Sequence, residues 1–180
     1  MKIKTNGNKQ TCKVGCVIAH LAALAWMVVI FCFTAQNGDE SGNLSSGVTE
    51  FVMTILNQLF QLGWDDAKLL EMISLWDYPI RKLAHMTEFG ILAVLIFHAM
   101  KYYPCISSSK KRYLFAWFGA VAYAATDEFH QLFVPGRSGN LFDVCVDASG
   151  ALLALVLLYV ARTLYSKLRN EVFYARTRQL

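Results

Sequence analysis

An all-α membrane fold is expected of this 180-residue chain: a four-transmembrane-helix bundle, N-in and C-in, with an amphipathic helix in its outer loop. Three observations lead there. The chain is 56% hydrophobic and 17% charged, against roughly 45–50% and ~25% in ordinary soluble domains. The apolar excess falls in a few long runs, and the polar sequence between them is too short to cover them in water. Thirteen of the 17 Lys and Arg residues fall on one side of the spans that those runs define. This pattern argues against a soluble globule, a disordered chain and a secreted disulfide scaffold. The net charge of +4 is small and scattered, so no nucleic-acid partner is expected. Cys12, Cys16, Cys32, Cys105 and Cys145 contain no C-x-x-C pair. A zinc site needs close-set paired ligands, so these cysteines are read as small apolar side chains.

Residues 1–13 form a basic tail with Lys2, Lys4, Lys9 and Lys13. A bilayer core of ~30 Å calls for about 20 apolar helical residues. Val14 to Ala35 supplies them without a charge, giving the first span at 14–35. That run is too long for a signal-peptide core and lacks an obvious A-x-A cleavage site at its outer end, so it is expected to stay on the chain. The apolar runs Leu83 to Met100, Tyr113 to Val134 and Val144 to Ala161 centre three more spans, at about 80–102, 113–134 and 141–162. Residues 163–180 form a second basic tail.

Short loops rich in Lys and Arg stay in the cytoplasm. The N-terminal tail, Lys101 with Lys110, Lys111 and Arg112, and the C-terminal Arg162, Lys167, Arg169, Arg176 and Arg178 therefore lie inside. Only Lys68, Arg81, Lys82 and Arg137 lie outside. The acids show the opposite bias, with Glu171 alone among them cytoplasmic. The outer loop 36–79 is long but patterned. Leu44, Val48, Phe51, Val52, Ile55, Leu56, Leu59 and Phe60 recur at helical spacing, which predicts a helix at the outer interface or over the bundle. Asp65 is expected to cap a shorter helix with Leu69, Leu70, Ile73 and Trp76, before Pro79 opens the second span.

Charged groups in hydrocarbon cost ~2.5–3.5 kcal/mol each on insertion scales, yet Glu88, Asp127, Glu128 and Asp147 sit in or at the edge of spans. Helical spacing shows where they point. Lys82, His85 and Glu88 share one side of the second span. Asp127, His130 and Gln131 share a face of the third, with Glu128 about 100° away. Asp143, Asp147 and Gly150 share a face of the fourth, where Asp143 is also suited to a capping box with Asn140. These groups can converge on one polar site that opens outward. Val134-Pro135-Gly136-Arg137 makes a tight turn that holds Arg137 above the acids, either as an anion ligand or as an ion-pair partner of Asp143 or Asp127. Gly150 and Ala154 are small residues one helical turn apart, which permits close helix packing.

The residues of this site carry a family resemblance. Arg81-Lys82-Leu83-Ala84-His85 with Glu88-Phe89, Thr126-Asp127-Glu128-Phe129-His130-Gln131 running on to Pro135-Gly136-Arg137, and Asp143 with Asp147 and Gly150 resemble the VanZ-like family of bacterial membrane proteins. Phe33-Thr34-Ala35-Gln36 is similar to that family's approach to the outer loop, where Ser is commoner than Thr34. The resemblance covers roughly residues 15 to 162. It implies a multi-pass protein of the cell membrane, and, through the teicoplanin-resistance protein that names the family, an action on cell-wall precursors or lipids that lowers glycopeptide access.

Three functions fit these residues. The first is a surface-acting protein of the bacterial envelope that modifies or masks cell-wall precursors or lipids at the outer face. The second is an intramembrane enzyme for lipid phosphoryl or ester transfer. There His85, Glu88, Asp127, Glu128, His130, Gln131, Asp143 and Asp147 would carry the chemistry, and Lys82 and Arg137 would hold an anionic group. A divalent metal could sit on ligands drawn from His85, Glu88, Asp127, His130 and Asp147. The third is a proton-coupled carrier that uses the same carboxylates and histidines as a relay.

Overall fold

The computed structural model describes residues 4–177 of the backbone and the side chains of residues 13–171. The outermost basic residues of both expected tails, Lys2, Lys4, Lys9, Arg176 and Arg178, lie outside the described side chains. The described chain is all helical: α1 (Lys4–Thr34), α2 (Gly38–Leu59), α3 (Asp66–Met100), a 3-10 turn at Pro104–Ile106, α4 (Ser109–Gln131) and α5 (Leu141–Thr177). Helix therefore continues into both segments expected as tails.

Local chemistry sets the boundaries of α2 and the start of α3. Asn37 opens α2 with a reciprocal capping box: the Glu40 N–H donates to Asn37 Oδ1 at 2.8 Å, and the Asn37 N–H donates to Glu40 Oε2 at 3.3 Å. After α2 the chain reverses through positive φ at Gln61 and Gly63. Asn57 staples this turn, its amide donating to the Trp64 carbonyl and its Oδ1 accepting from the Trp64 N–H. Asp65 then caps α3, accepting from the Lys68 N–H at 2.8 Å.

One boundary departs from expectation. The shorter helix after Asp65 and the second span are a single 35-residue helix with Pro79 inside it. Proline in a helix interior costs ~3 kcal/mol or more, which is why a break was expected there. The cost is offset by α2. Ser45 and Thr49 donate to Asp77 Oδ1 at 2.8 and 3.3 Å, and Thr49 and Met53 are buried against α3. The first turns of α3 are thereby held in line with the rest.

Four helices form the bundle, and side-chain pairings give their directions. Phe89 meets Tyr123 and Phe97 meets Tyr113, so α3 and α4 run antiparallel. Trp117 Nε1 donates to the Ala148 carbonyl and Tyr113 stacks near Tyr159, so α4 and α5 run antiparallel. Trp26 donates to the Glu88 carbonyl while His20 bonds Tyr103, so α1 opposes α3. The core consists of Ile30, Phe89, Leu92, Ala93, Phe97 and Leu155, closed by Ala116, Ala120 and Ala124 along one face of α4. At the α3–α5 crossing, a Cβ on Gly150 would run into the main chain of Met86.

Among the described residues, three helices are long and apolar enough to cross a membrane: Lys13–Thr34, Asp66–Met100 and Leu141–Glu171. α4 is outside that set because polar residues crowd both its ends, Lys110, Lys111 and Arg112 at one and Asp127, Glu128, His130 and Gln131 at the other.

Candidate functional site

The alternation of directions brings the C-terminal ends of α1 and α4, the 82–88 stretch of α3 and the start of α5 to one end of the bundle. The α4–α5 connection closes that end. The Arg137 N–H donates to the Val134 carbonyl at 3.1 Å across Pro135 and Gly136, and Gly136 has φ +73°. This is the expected Pro-Gly turn. It docks on the start of α2, where the Gly38 N–H donates to the Pro135 carbonyl at 3.0 Å. A Cβ on Gly38 would strike the Gly136 main chain, so only glycine fits there.

A polar cavity of about 280 Å³ opens beneath this turn, lined among others by Lys82, His85, Glu128, Gln131, Asp143 and Asp147, with Arg81 and Arg137 at its edge. The sequence placed most of these residues together. Asp143 does not act in a capping box. Its Oδ1 pairs with Lys82 Nζ at 2.6 Å, and the Asn140 N–H it was expected to cap donates instead to Glu128 Oε2 at 2.9 Å. Lys82 also lies over the Tyr78 ring, 5.2 Å from its centroid.

Below the cavity the acids of α4 are tied into the frame. Thr34 Oγ1 donates to Asp127 Oδ1 at 2.7 Å, and Gln131 Nε2 donates to Asp127 Oδ2 at 3.1 Å and to Glu128 Oε1 at 3.4 Å. With the Asn140 bond, all four carboxylate oxygens have donors from α1, α4 or the start of α5. Asp127 and Glu128 are 4% and 7% exposed, and at that burial every unpaired oxygen would be costly. Thr34 belongs to this network although the spacing of the acids gave no sign of it; the run Phe33-Thr34-Ala35-Gln36 was the signal available.

Arg137 takes neither of the expected partners. Its Nε donates to the Gln36 carbonyl and its Nη2 to the Phe33 carbonyl, both at 3.2 Å. It closes the C-terminal end of α1, where free carbonyls and the helix dipole favour a cation. Burial, and then the nearby Arg81, lower its pKa. Arg81 is a site cation that the helical spacing of Lys82, His85 and Glu88 did not include; it borders the same cavity and sits 5.7 Å from the Tyr78 ring centroid.

The remaining candidates diverge. His85 Nδ1 lies 3.6 Å from Glu88 Oε2, too far for a hydrogen bond, and that buried oxygen has no other partner. His130 is drawn away from the cavity, its ring 4.7 Å from that of Phe31, and its buried Nδ1 is unpaired. Among the described residues no three His, Cys, Asp or Glu side chains are grouped to hold a metal ion. Asp127 is tied to Thr34 and Gln131, and His130 turns toward Phe31 of α1, so the five candidate ligands do not converge among the described residues. The arrangement can bind an anion at its cationic edge and exchange protons through His85 and the acids that line the cavity.

A second, mostly apolar cavity of about 270 Å³ lies on the other side of Arg81, His85 and Arg137, between α1, α2 and α3.

The family model described as VanZ/LLP1 matches residues 19–162, which takes in every element of this site. No curated protein and no solved structure matches the chain.

Proposed function

This chain belongs to the VanZ/LLP1 family, and on that premise we propose that it is a four-span protein of the cell membrane that binds the anionic headgroup of a lipid or lipid-linked cell-wall precursor at the outer face. In that role it would bear on glycopeptide, and specifically teicoplanin, susceptibility. One observation carries the reading: the polar cavity gathers Arg81, Lys82 and Arg137. These are three of only four basic residues outside the basic end of the bundle. Cations are disfavoured on the outer side of a span, and an anion in the cavity gives them a partner. Lys82 is held beside Asp143 and Arg137 spends two donors on α1, while Arg81 lines the cavity with its guanidinium in no hydrogen bond or ion pair among the described residues. A phosphate entering here would meet a planar, bidentate donor.

Photoreactive undecaprenyl phosphate, crosslinked to the purified protein in phosphatidylcholine nanodiscs, tests this. Label is expected on peptides that contain residues 78–88 and 134–147. The Arg81→Ala, Lys82→Ala pair should lower it about tenfold, the loss of one or two charge-assisted hydrogen bonds. Labelling that ignores the double change overturns the reading.

A further inference from the structure

The two cavities share Arg81, His85 and Arg137 as a common wall. On one side the lining is polar. On the other, most of the exposed wall is apolar, from Phe33, Leu44, Val48, Ile80 and Ala84, with Gln36, Ser41, Ser45 and Glu88 also lining the space. This apolar space also has a way in. Leu44, Val48, Phe51, Ile55 and Leu59 lie along one exposed face of α2, while the face with Ser45, Thr49 and Met53 packs on α3. The exposed stripe starts at the cavity mouth, since Leu44 and Val48 belong to both. Phe33, at the opposite lip, is itself exposed.

The geometry points to a two-compartment site for an amphiphile, whose anionic head occupies the polar cavity while its alkyl chain lies in the cleft between α1, α2 and α3. The linking group sits at Arg81, His85 and Arg137. This deepens the headgroup-binding reading and rests on it. It adds that the chain is recognised as well as the head, and that the ligand arrives sideways along α2 rather than from water. The occupant is an alkyl chain rather than a protein segment because the cleft borders a cationic pocket across Arg81, His85 and Arg137, so that one amphiphile lying over those three side chains satisfies both. A peptide in the cleft would set backbone N–H and C=O groups against a wall whose exposed area is mostly apolar.

Binding of hexadecyl phosphate and of ethyl phosphate to the full chain in phosphatidylcholine nanodiscs separates the two parts. The wild type should prefer hexadecyl phosphate strongly. Val48→Trp fills the cleft from an exposed position and should weaken hexadecyl phosphate by about tenfold or more, the equivalent of some two buried methylene groups, while ethyl phosphate binds as before. Ethyl phosphate is the fold control: a variant that loses both probes is replaced by the milder Val48→Phe, which must then show the selective loss. Hexadecyl phosphate binding that is unchanged in a Val48 variant that retains ethyl phosphate overturns the two-compartment site and leaves the headgroup reading standing. A wild type that binds neither probe removes the headgroup reading, and the cleft proposal with it.

Discussion

The single hydroxyl of Thr34 joins α1 to the buried acid of α4 across 93 positions of sequence. Hydrogen bonds between helices in a membrane are worth about 0.6 kcal/mol on average and at most about 1.7, but this one serves a carboxylate oxygen with no other side-chain donor. Thr34→Val keeps the shape and removes the donor. It should destabilise the protein by about 1–2 kcal/mol, read as a shift in the denaturant midpoint in detergent. Thr34→Ser restores the donor and should stay within about 0.5 kcal/mol of wild type. Equal losses in both would assign the effect to packing of the methyl group. The contrast also marks what was readable at this scale. Helical spacing put Asp127 and Gln131 on one face and Lys82 with His85 on another, because i, i+3 and i+4 relations are local. It could not choose partners. Arg137 went to the carbonyls of α1, Asp143 to Lys82 and Glu128 to the Asn140 N–H, because those choices depend on how distant helices are placed around the turn at Pro135 and Gly136.

At the scale of elements, the α2 helix was foreshadowed by apolar periodicity, while its cap at Asn37 was not, and the stripe expected as one face serves two. Val52 and Leu56 are half-buried while Phe51 and Leu59 remain exposed. The period shows that a helix is amphipathic without showing how wide an arc a neighbour covers. Pro79 misled for a related reason: its local cost is real, and only the bonds from α2 to Asp77 reveal what offsets it. The small residues of α5 were read correctly, and they support a sharp comparison. Gly150→Ala places a Cβ against the Met86 main chain and must push α3 from α5, at a cost of about 1–3 kcal/mol. Because Lys82 and Asp143 face each other across the same helix pair, the change should also weaken anion binding. Gly47→Ala in the exposed interior of α2 meets nothing within 4 Å and should stabilise by about 0.5–1 kcal/mol. Thermal melts of the two variants in one detergent should move in opposite directions. A neutral Gly150→Ala would mean that the helices separate there at little cost.

For the whole molecule, the chemistry of the polar cavity depends on which side of the membrane it faces and on whether α4 crosses. Two arguments bear on α4. Its neighbours α3 and α5 are long and apolar enough to cross, and α4 packs antiparallel to both. Its acids, which would cost ~2.5–3.5 kcal/mol each against lipid, are buried against protein instead. Antiparallel packing puts Lys13, Lys101, Lys110 to Arg112 and Arg162 at the end opposite the cavity, and the positive-inside rule assigns that end to the cytoplasm. Single cysteines placed at Gly63, Ser108 and Ser138 in a background without the five native cysteines decide both points. Impermeant maleimide added to intact cells should label Gly63→Cys and Ser138→Cys and should reach Ser108→Cys only after lysis. Ser108→Cys and Ser138→Cys labelling from the same side would take α4 out of the membrane. If only Ser108→Cys labels in intact cells, the bundle is inverted, the cavity opens to the cytoplasm, and its anion must be a cytoplasmic one rather than a precursor exposed at the outer face.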